Sequence, residues 1–160
     1  MSQPVIYRTA RKTDRAEWTK LRYELWPHCP IDRHDLEINQ LLKSDGIVAV
    51  AEIDGTLAGF AEVSLRHDHV EGTRASPVPY LEGWFVKPAH RNLGIGRGLM
   101  DYVEQWAIAR GFNEIASDAE LDNEHGISLH TKLGFAEVGR TVHFVKPLTA
   151  SPPLPPQSYE

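Results

Sequence analysis

The stretch richest in chemistry is Val86-Lys87-Pro88-Ala89-His90-Arg91-Asn92-Leu93-Gly94-Ile95-Gly96-Arg97-Gly98-Leu99. A β-rich run ends at Val86, the chain turns through glycines, and apolar residues then recur at helical spacing. At such a junction the backbone N–H groups of the first helical turn converge on one spot, and the helix dipole adds partial positive charge. That is an anion site. Glycines let a phosphate approach the backbone, and Arg91 and Arg97 add charge-assisted donors. A Walker-type loop needs Gly-Lys-Ser/Thr at its end, whereas this one ends in Arg97-Gly98-Leu99. A dinucleotide fingerprint needs Gly-x-Gly-x-x-Gly. Here the third glycine comes one residue early, and the loop lies mid-chain after a hairpin. A tight strand-to-helix turn with no ligand is the plain alternative.

Other reactive types are sparse. Cys29 is the single cysteine, so no intrachain disulfide exists, and its neighbour His28 forms no oriented nucleophile constellation with it. His67 and His69 make a His-x-His pair on a loop. Two ligands are too few to argue for a metal, and none is expected.

The elements that must position the glycine turn follow from periodicity. Pro4–Thr9 reads as a short strand. Asp14 opens a helix, with Glu17 completing a capping box. Trp18, Leu21, Arg22 and Leu25 share one face, and Trp26-Pro27 ends it. Asp32 caps a second helix running through Leu36, Ile38, Leu41 and Leu42. Ile47–Ile53 and Thr56–Arg66 are strands joined at Asp54-Gly55, a strong hairpin signal. His67–Pro79 is a loop, Tyr80–Val86 a strand, and Gly96–Arg110 a helix stopped by Gly111. Glu114–Ser117 is a short strand and Asn123–Leu133 a helix stopped by Gly134. Phe135–Val138 and Thr141–Val145 are expected as strands. Residues 1–148 form one domain of mixed α/β class. Residues 149–160 carry four prolines and are expected to be extended or flexible.

Composition narrows the class. At 160 residues the chain suits one domain, and about 68–70% of its unfolded surface would be buried without staples. Lys plus Arg total 17 against 22 for Asp plus Glu, a formal charge of −5. This acidic balance argues against a nucleic-acid or membrane-surface protein and permits a cationic partner. Met1–Thr13 has no apolar core of signal-peptide type, and no run is long enough to span a membrane. A reducing cytoplasm is the expected setting.

Arg91-x-x-Gly94-x-Gly96 between a strand and a long helix resembles the acetyl-CoA pyrophosphate loop of the GCN5-related N-acetyltransferase (GNAT) superfamily. A second element agrees: Asn123 stands seven residues before His130, and Leu133-Gly134-Phe135 follows. The two elements cover about residues 80–145. The resemblance implies a GNAT fold: a mixed central sheet with splayed strands around an acetyl-CoA cleft, flanked by helices. It implies coenzyme contacts at Trp84, Phe85 and Val86, whose free backbone edge would pair with the pantetheine arm. It implies further contacts at Arg91, Asn92, Leu93, Gly94, Ile95, Gly96, Arg97, Asn123 and His130.

A narrower resemblance rests on Leu25-Trp26-Pro27, the phrase Ser64-Leu65-Arg66-His67-Asp68-His69-Val70-x-Gly72-Thr73, Ser76-Pro77-Val78, Leu81-Glu82-Gly83 and Ala116-Ser117-Asp118. This set is similar to the chromosomal, dimeric subgroup of aminoglycoside 6′-N-acetyltransferases, over nearly the whole chain to about Pro147. The resemblance implies acetyl transfer from acetyl-CoA to the 6′-amine of an aminoglycoside in a ternary complex, antibiotic resistance as the outcome, and a homodimer. Glu82 and Asp118 match the subgroup's acidic pair at the acceptor site. Residue chemistry agrees, because an alkyl ammonium with a pKa of about 10.4 must lose a proton before it attacks. Glu82 is placed to accept that proton and Asp118 to hold the amine. The wider family has Tyr where His130 stands, so His130 as general acid competes with a packing or coenzyme-contact role. Trp26 and His69 are expected at the acceptor site. If Glu82, Asp118, Glu120 and Asp122 face one cleft, the net charge hides an acidic field for the acceptor and a basic one at 87–97 for the coenzyme. Two other readings are an N-acetyltransferase for a polyamine or protein N-terminus, and a non-catalytic acyl-CoA sensor.

Overall fold

A computed structural model describes residues 3–149. Strands β1 (Ile6–Thr9), β2 (Ile47–Ile53), β3 (Thr56–Arg66), β4 (Val78–Val86) and β5 (Ala116–Ser117) form one sheet in the order β1-β2-β3-β4-β5. Every pairing is antiparallel except β4 with β5, which is parallel. Helices α1 (Arg15–Leu25), α2 (Ile31–Leu41), α3 (Ile95–Ala109) and α4 (Glu124–Lys132) flank it. Asp54 and Gly55 both take positive φ, 50° and 73°, the geometry a two-residue turn needs to match strand twist.

The period-two alternation of β2 and β3 sorts their side chains to two cores. Ala49, Ala51, Ala61, Val63 and Leu81 face Ile95, Leu99, Met100 and Val103 of α3. Val48, Val50, Phe60 and Phe85 face Trp18 and Leu21 of α1 and Ile38 of α2. The alanines on the α3 side leave room for a helix to lie close to the sheet.

Several boundaries differ from the sequence reading. Asp14 and Glu17 do not form a capping box. The Asp14 carboxylate instead accepts two bonds from Arg8 at 2.8 Å and one from the Arg11 N–H at 2.7 Å. The Arg8 guanidinium holds the Asp14 carboxyl below its usual range despite partial burial. Glu17 reaches across to the Leu57 N–H at 2.9 Å. Helix α2 starts at Ile31, so Asp32 lies in its first turn rather than at its cap. Strand β5 is only two residues long, and the Glu114 side chain before it accepts the Arg74 and Ala75 N–H groups.

The largest correction is at the C-terminal end. Phe135–Val138 and Thr141–Val145 form no strand. A strand needs a ladder partner, and among the described residues neither segment pairs with one. Phe135 packs against the α3 core, but the apolar side chains beyond it are left uncovered, with Phe144 90% and Val145 91% exposed. The proline-rich tail expected over 149–160 lies outside the described residues beyond Thr149. Among the described residues, no helix is long and apolar enough to cross a membrane.

Candidate active site

Strand β4 pairs with β3 along its length, from Val78 opposite Arg66 to Val86 opposite Gly59. With β5 it pairs only at Tyr80–Ala116 and Leu81–Ser117. The two parallel strands therefore part company after Leu81, and the outer edge of β4 from Glu82 to Val86 has no strand beside it. The side chains there are committed to packing: Trp84 and Val86 toward the α3 core, Phe85 toward the α1 core. What this stretch offers a ligand is its backbone edge.

The glycine turn follows at once. Asn92 and Gly94 sit at φ 63° and 80°, a left-handed conformation that costs Gly least. Gly94 is the N-cap of α3 and brings no side-chain cap. The first helical bond runs from the Gly98 N–H to the Gly94 carbonyl at 3.0 Å, so the N–H groups of Ile95, Gly96 and Arg97 have no partner within the helix. The other two glycines serve packing. A Cβ on Gly96 would stand 2.6 Å from the Trp84 ring, whose Nε1–H donates to the Gly96 carbonyl at 3.1 Å. A Cβ on Gly98 would collide with Tyr7.

The flanking arginines are both anchored. Arg91 Nε donates to the Val86 carbonyl at 2.9 Å and its guanidinium lies 5.4 Å from the Phe85 ring. Arg97 Nη2 donates to the Lys132 carbonyl at 2.9 Å, tying α3 to the end of α4. Leu93 is exposed at the tip of the turn. Asn123 has a role in the fold: its side chain accepts the Gly126 N–H at 2.9 Å and caps α4.

Glu82 occupies a β-bulge. Glu62 pairs with Gly83 and Val63 with Leu81, leaving Glu82 as the extra residue of β4. A bulge re-aims a side chain, and here it swings the carboxylate toward β3. Ser64 Oγ donates to Oε1 at 2.6 Å, Arg66 Nε to Oε1 at 2.9 Å and Arg66 Nη2 to Oε2 at 2.8 Å. The Arg66 guanidinium also lies 3.4 Å from the centre of the Tyr80 ring. The Tyr80 hydroxyl donates to Asp118 Oδ2 at 2.7 Å. Burial first, and then the bond to Asp118, push the Tyr80 phenol well above its ordinary value. Glu82 holds the Arg66 guanidinium in its charged form even more firmly than usual. Glu82 and Asp118 thus belong to one cluster, joined through Arg66 and Tyr80.

Arg66, Tyr80 and Ser64 do not stand out as site residues in the sequence. The available signal was the two-residue period, since Ser64 and Arg66 share a face of β3 and Tyr80 stands opposite Ser64. Trp26 lies against Gly83, where a Cβ would strike its ring, and stacks on His34 at 6.4 Å. It is therefore a packed wall next to Glu82. His69 is not brought to the cluster; it is exposed and lies 3.7 Å from Glu71. Among the described residues, no three His, Cys, Asp or Glu converge to hold a metal. Burial first, and then the charge of Glu37, push the Cys29 thiol up, which disfavours a thiolate.

His130 sits at the vertex where β4 and β5 diverge. Its Nδ1 is 2.7 Å from the Gly126 carbonyl and its Nε2 is 2.8 Å from Ser117 Oγ, which lies 3.2 Å from the Leu81 carbonyl. A carbonyl only accepts, so Nδ1 carries a proton. A neutral ring then takes the Ser117 proton at Nε2 and leaves the Leu81 carbonyl without it. An imidazolium donates from both nitrogens, and Ser117 passes its own proton to Leu81, so all three contacts are satisfied together. The ring edge is held at 5.2 Å from Phe135.

This geometry combines a strand edge open to an extended ligand, an anion-binding helix start, and a carboxylate cluster. Residues 8–135 match the acetyltransferase (GNAT) family. The chain is 41% identical over 151 residues to an aminoglycoside N(6′)-acetyltransferase type 1 from Stenotrophomonas maltophilia, covering 94% of this chain and 97% of that one. Its fold superimposes with a TM-score of 0.85 on AAC(6′)-Iy in complex with a bisubstrate analogue, CoA-S-monomethyl-acetylneamine, at 36% identity, covering 90% of this chain and 99% of that one. It also matches AAC(6′)-Ih from Acinetobacter baumannii at a TM-score of 0.84 and 36% identity, covering 91% of this chain and 100% of that one. The chain belongs to the GNAT acetyltransferase family and, within it, to the aminoglycoside N(6′)-acetyltransferases.

Proposed function

We propose that this protein transfers the acetyl group of acetyl-CoA to the 6′-amine of an aminoglycoside, and so confers resistance to that class of antibiotic. One observation carries the reading: the open edge of β4 ends, at Leu81 and Ser117, beside the Glu82–Asp118 cluster. A pantetheine arm adding to residues 82–86 as a strand would bring its thioester to that vertex. The pyrophosphate would lie at the first turn of α3, over the N–H groups of Ile95, Gly96 and Arg97. The acceptor ammonium gives a proton to Glu82, directly or through water, while Asp118 holds the amine. The nitrogen then attacks the thioester carbonyl, a C–N bond forms, the C–S bond breaks with its electron pair going to sulfur, and the new amide nitrogen releases its remaining extra proton to water. His130, bonded to Ser117 at the vertex, returns a proton toward that sulfur. No covalent enzyme intermediate is needed.

The reading extends to assembly and setting. Val138, Val142, Phe144 and Val145 are exposed, an apolar surface that a second copy of the chain would cover, which supports a homodimer. A single cysteine and use of acetyl-CoA suit the cytoplasm.

Thiol release with acetyl-CoA and a kanamycin-type acceptor, followed by mass and NMR analysis of the product, tests this. A 6′-N-acetyl product is expected. An otherwise equivalent aminoglycoside with a 6′-hydroxyl should not turn over. Turnover of that compound would refute the regiochemistry, and turnover of polyamines or peptides alone would refute the acceptor class.

A further inference from the structure

The Glu82 carboxylate assigned above to the acceptor amine is already occupied by a cation. Arg66 takes both of its oxygens in a fork at 2.8–2.9 Å. The same guanidinium covers the face of Tyr80, whose hydroxyl reaches Asp118. The pair is not locked away: the Arg66 side chain is 42% exposed and that of Glu82 32%. A fork–carboxylate pair with one face on an aromatic ring and the other open to water can exchange its cation. We infer that Arg66 is an internal counter-ion that stands in for the acceptor's ammonium at Glu82 and is displaced by it.

Binding of an ammonium at Glu82 is an exchange. An ammonium that replaces Arg66 at Glu82 gains charge-assisted bonds but must offset the lost fork and the lost cation–π contact with Tyr80. A monoamine has one charge with which to do so. A polycation places a second ammonium within reach of Asp118, whose Oδ2 is held toward the site by Tyr80. The internal arginine therefore adds the same exchange cost for any ammonium that takes Glu82, and a second contact at Asp118 offsets it.

The inference rests on the acceptor reading of Glu82 and Asp118, and the test separates the two. The first readout is binding. In protein labelled with ¹⁵N-arginine, the Nε–H resonance of Arg66, assigned by its loss in Arg66→Lys, is followed while a kanamycin-type aminoglycoside is added to the full chain with coenzyme A bound. A shift to the position of a solvated arginine, saturating with the acceptor, is expected. An unmoved resonance at saturation overturns the inference. If wild type still acetylates the aminoglycoside in that case, the acceptor reading stands and only the role of Arg66 falls.

The second readout is kinetic. In Arg66→Gln, the KM of a monoamine such as 6-amino-6-deoxyglucose should fall by roughly tenfold, the scale of an exposed ion pair plus a cation–π contact. The KM of the aminoglycoside should fall by a similar factor, because the counter-ion displaced is the same for both acceptors. Arg66→Lys, which keeps the charge but loses the fork, should fall between. A rise in KM for both acceptors, or a loss of kcat with both KM values unchanged, would make Arg66 a positioning residue for Glu82 instead and overturn the proposal.

Discussion

Glu62 and Glu82 lie almost side by side across the β3–β4 ladder, since Glu62 pairs with the residue that follows Glu82. Each carries an arginine. Glu62 takes the Arg22 Nη1 at 2.5 and 2.6 Å and the Trp18 indole N–H at 2.9 Å. Arg22 in turn donates to His34 Nδ1 at 3.2 Å and pairs with Glu37. Glu82 takes the Arg66 fork and the Ser64 hydroxyl. The difference is burial: the Arg22 and Glu62 side chains are 2% and 3% exposed. Burial pushes the Glu62 carboxyl up, and Arg22 pulls it back. Among the described residues no buried side-chain nitrogen or oxygen lacks a partner. The same pairing chemistry is thus a structural fixture in one place and an exchangeable contact in the other, and only the second can meet a substrate.

Removing each carboxylate should separate the two roles. Glu62→Ala leaves Arg22 charged and buried without its main partner, which should cost about 3–5 kcal/mol. Denaturant unfolding should show a lowered midpoint, and an unchanged midpoint would mean that the pair is not a fixture. The double change Arg22→Met with Glu62→Leu should recover most of that loss, because an apolar pair avoids desolvation.

Glu82→Gln should leave the unfolding midpoint within error. It should lower kcat/KM by on the order of 10²-fold, the scale of a lost general base. Steady-state kinetics with an aminoglycoside acceptor checks this, and equal rates would remove Glu82 from proton transfer.

The smallest effect concerns His34. Burial first, and then the charge of Arg22, lower its pKa. The unfolded chain therefore binds a proton on His34 at a higher pH than the folded chain does. Stability from this residue is fully present above the unfolded value, about 6.5, and is lost as pH falls below it toward the folded value. Thermal unfolding between pH 7.5 and 5.5 should fall more steeply for wild type than for His34→Gln. Parallel curves would show that His34 does not titrate on unfolding.

Local signals carried most of the reading. The Asp54-Gly55 turn, the helix after Gly94 and the α4 stop at Gly134 are set by nearest neighbours, and the structure keeps them. Long-range competition caused the failures. Asp14 and Glu17 look like a capping box only until Arg8 and the Leu57 N–H claim their carboxylates. The strand pattern in 135–145 is real as a pattern but, among the described residues, finds no ladder partner. At the site, Glu82, Asp118 and His130 fall together around one vertex. Arg66 and Tyr80 escaped because their importance is a matter of contact across strands. The bulge that turns Glu82 toward them leaves no mark in sequence spacing.

The two rungs between β4 and β5 also have a thermodynamic side. Everything after β4 on this edge of the sheet hangs on Tyr80–Ala116, Leu81–Ser117 and a few ties such as Arg97 to the Lys132 carbonyl. So thin a seam opens at a lower free energy than the β2–β3 ladder. A coenzyme that hydrogen-bonds to the free edge of β4 acts as a sixth strand, and its affinity is then partly folding free energy of the β5–α4 unit. If the coenzyme adds to the β4 edge in this way, amide exchange in β5 and α4 should slow on binding, even for residues the coenzyme never touches.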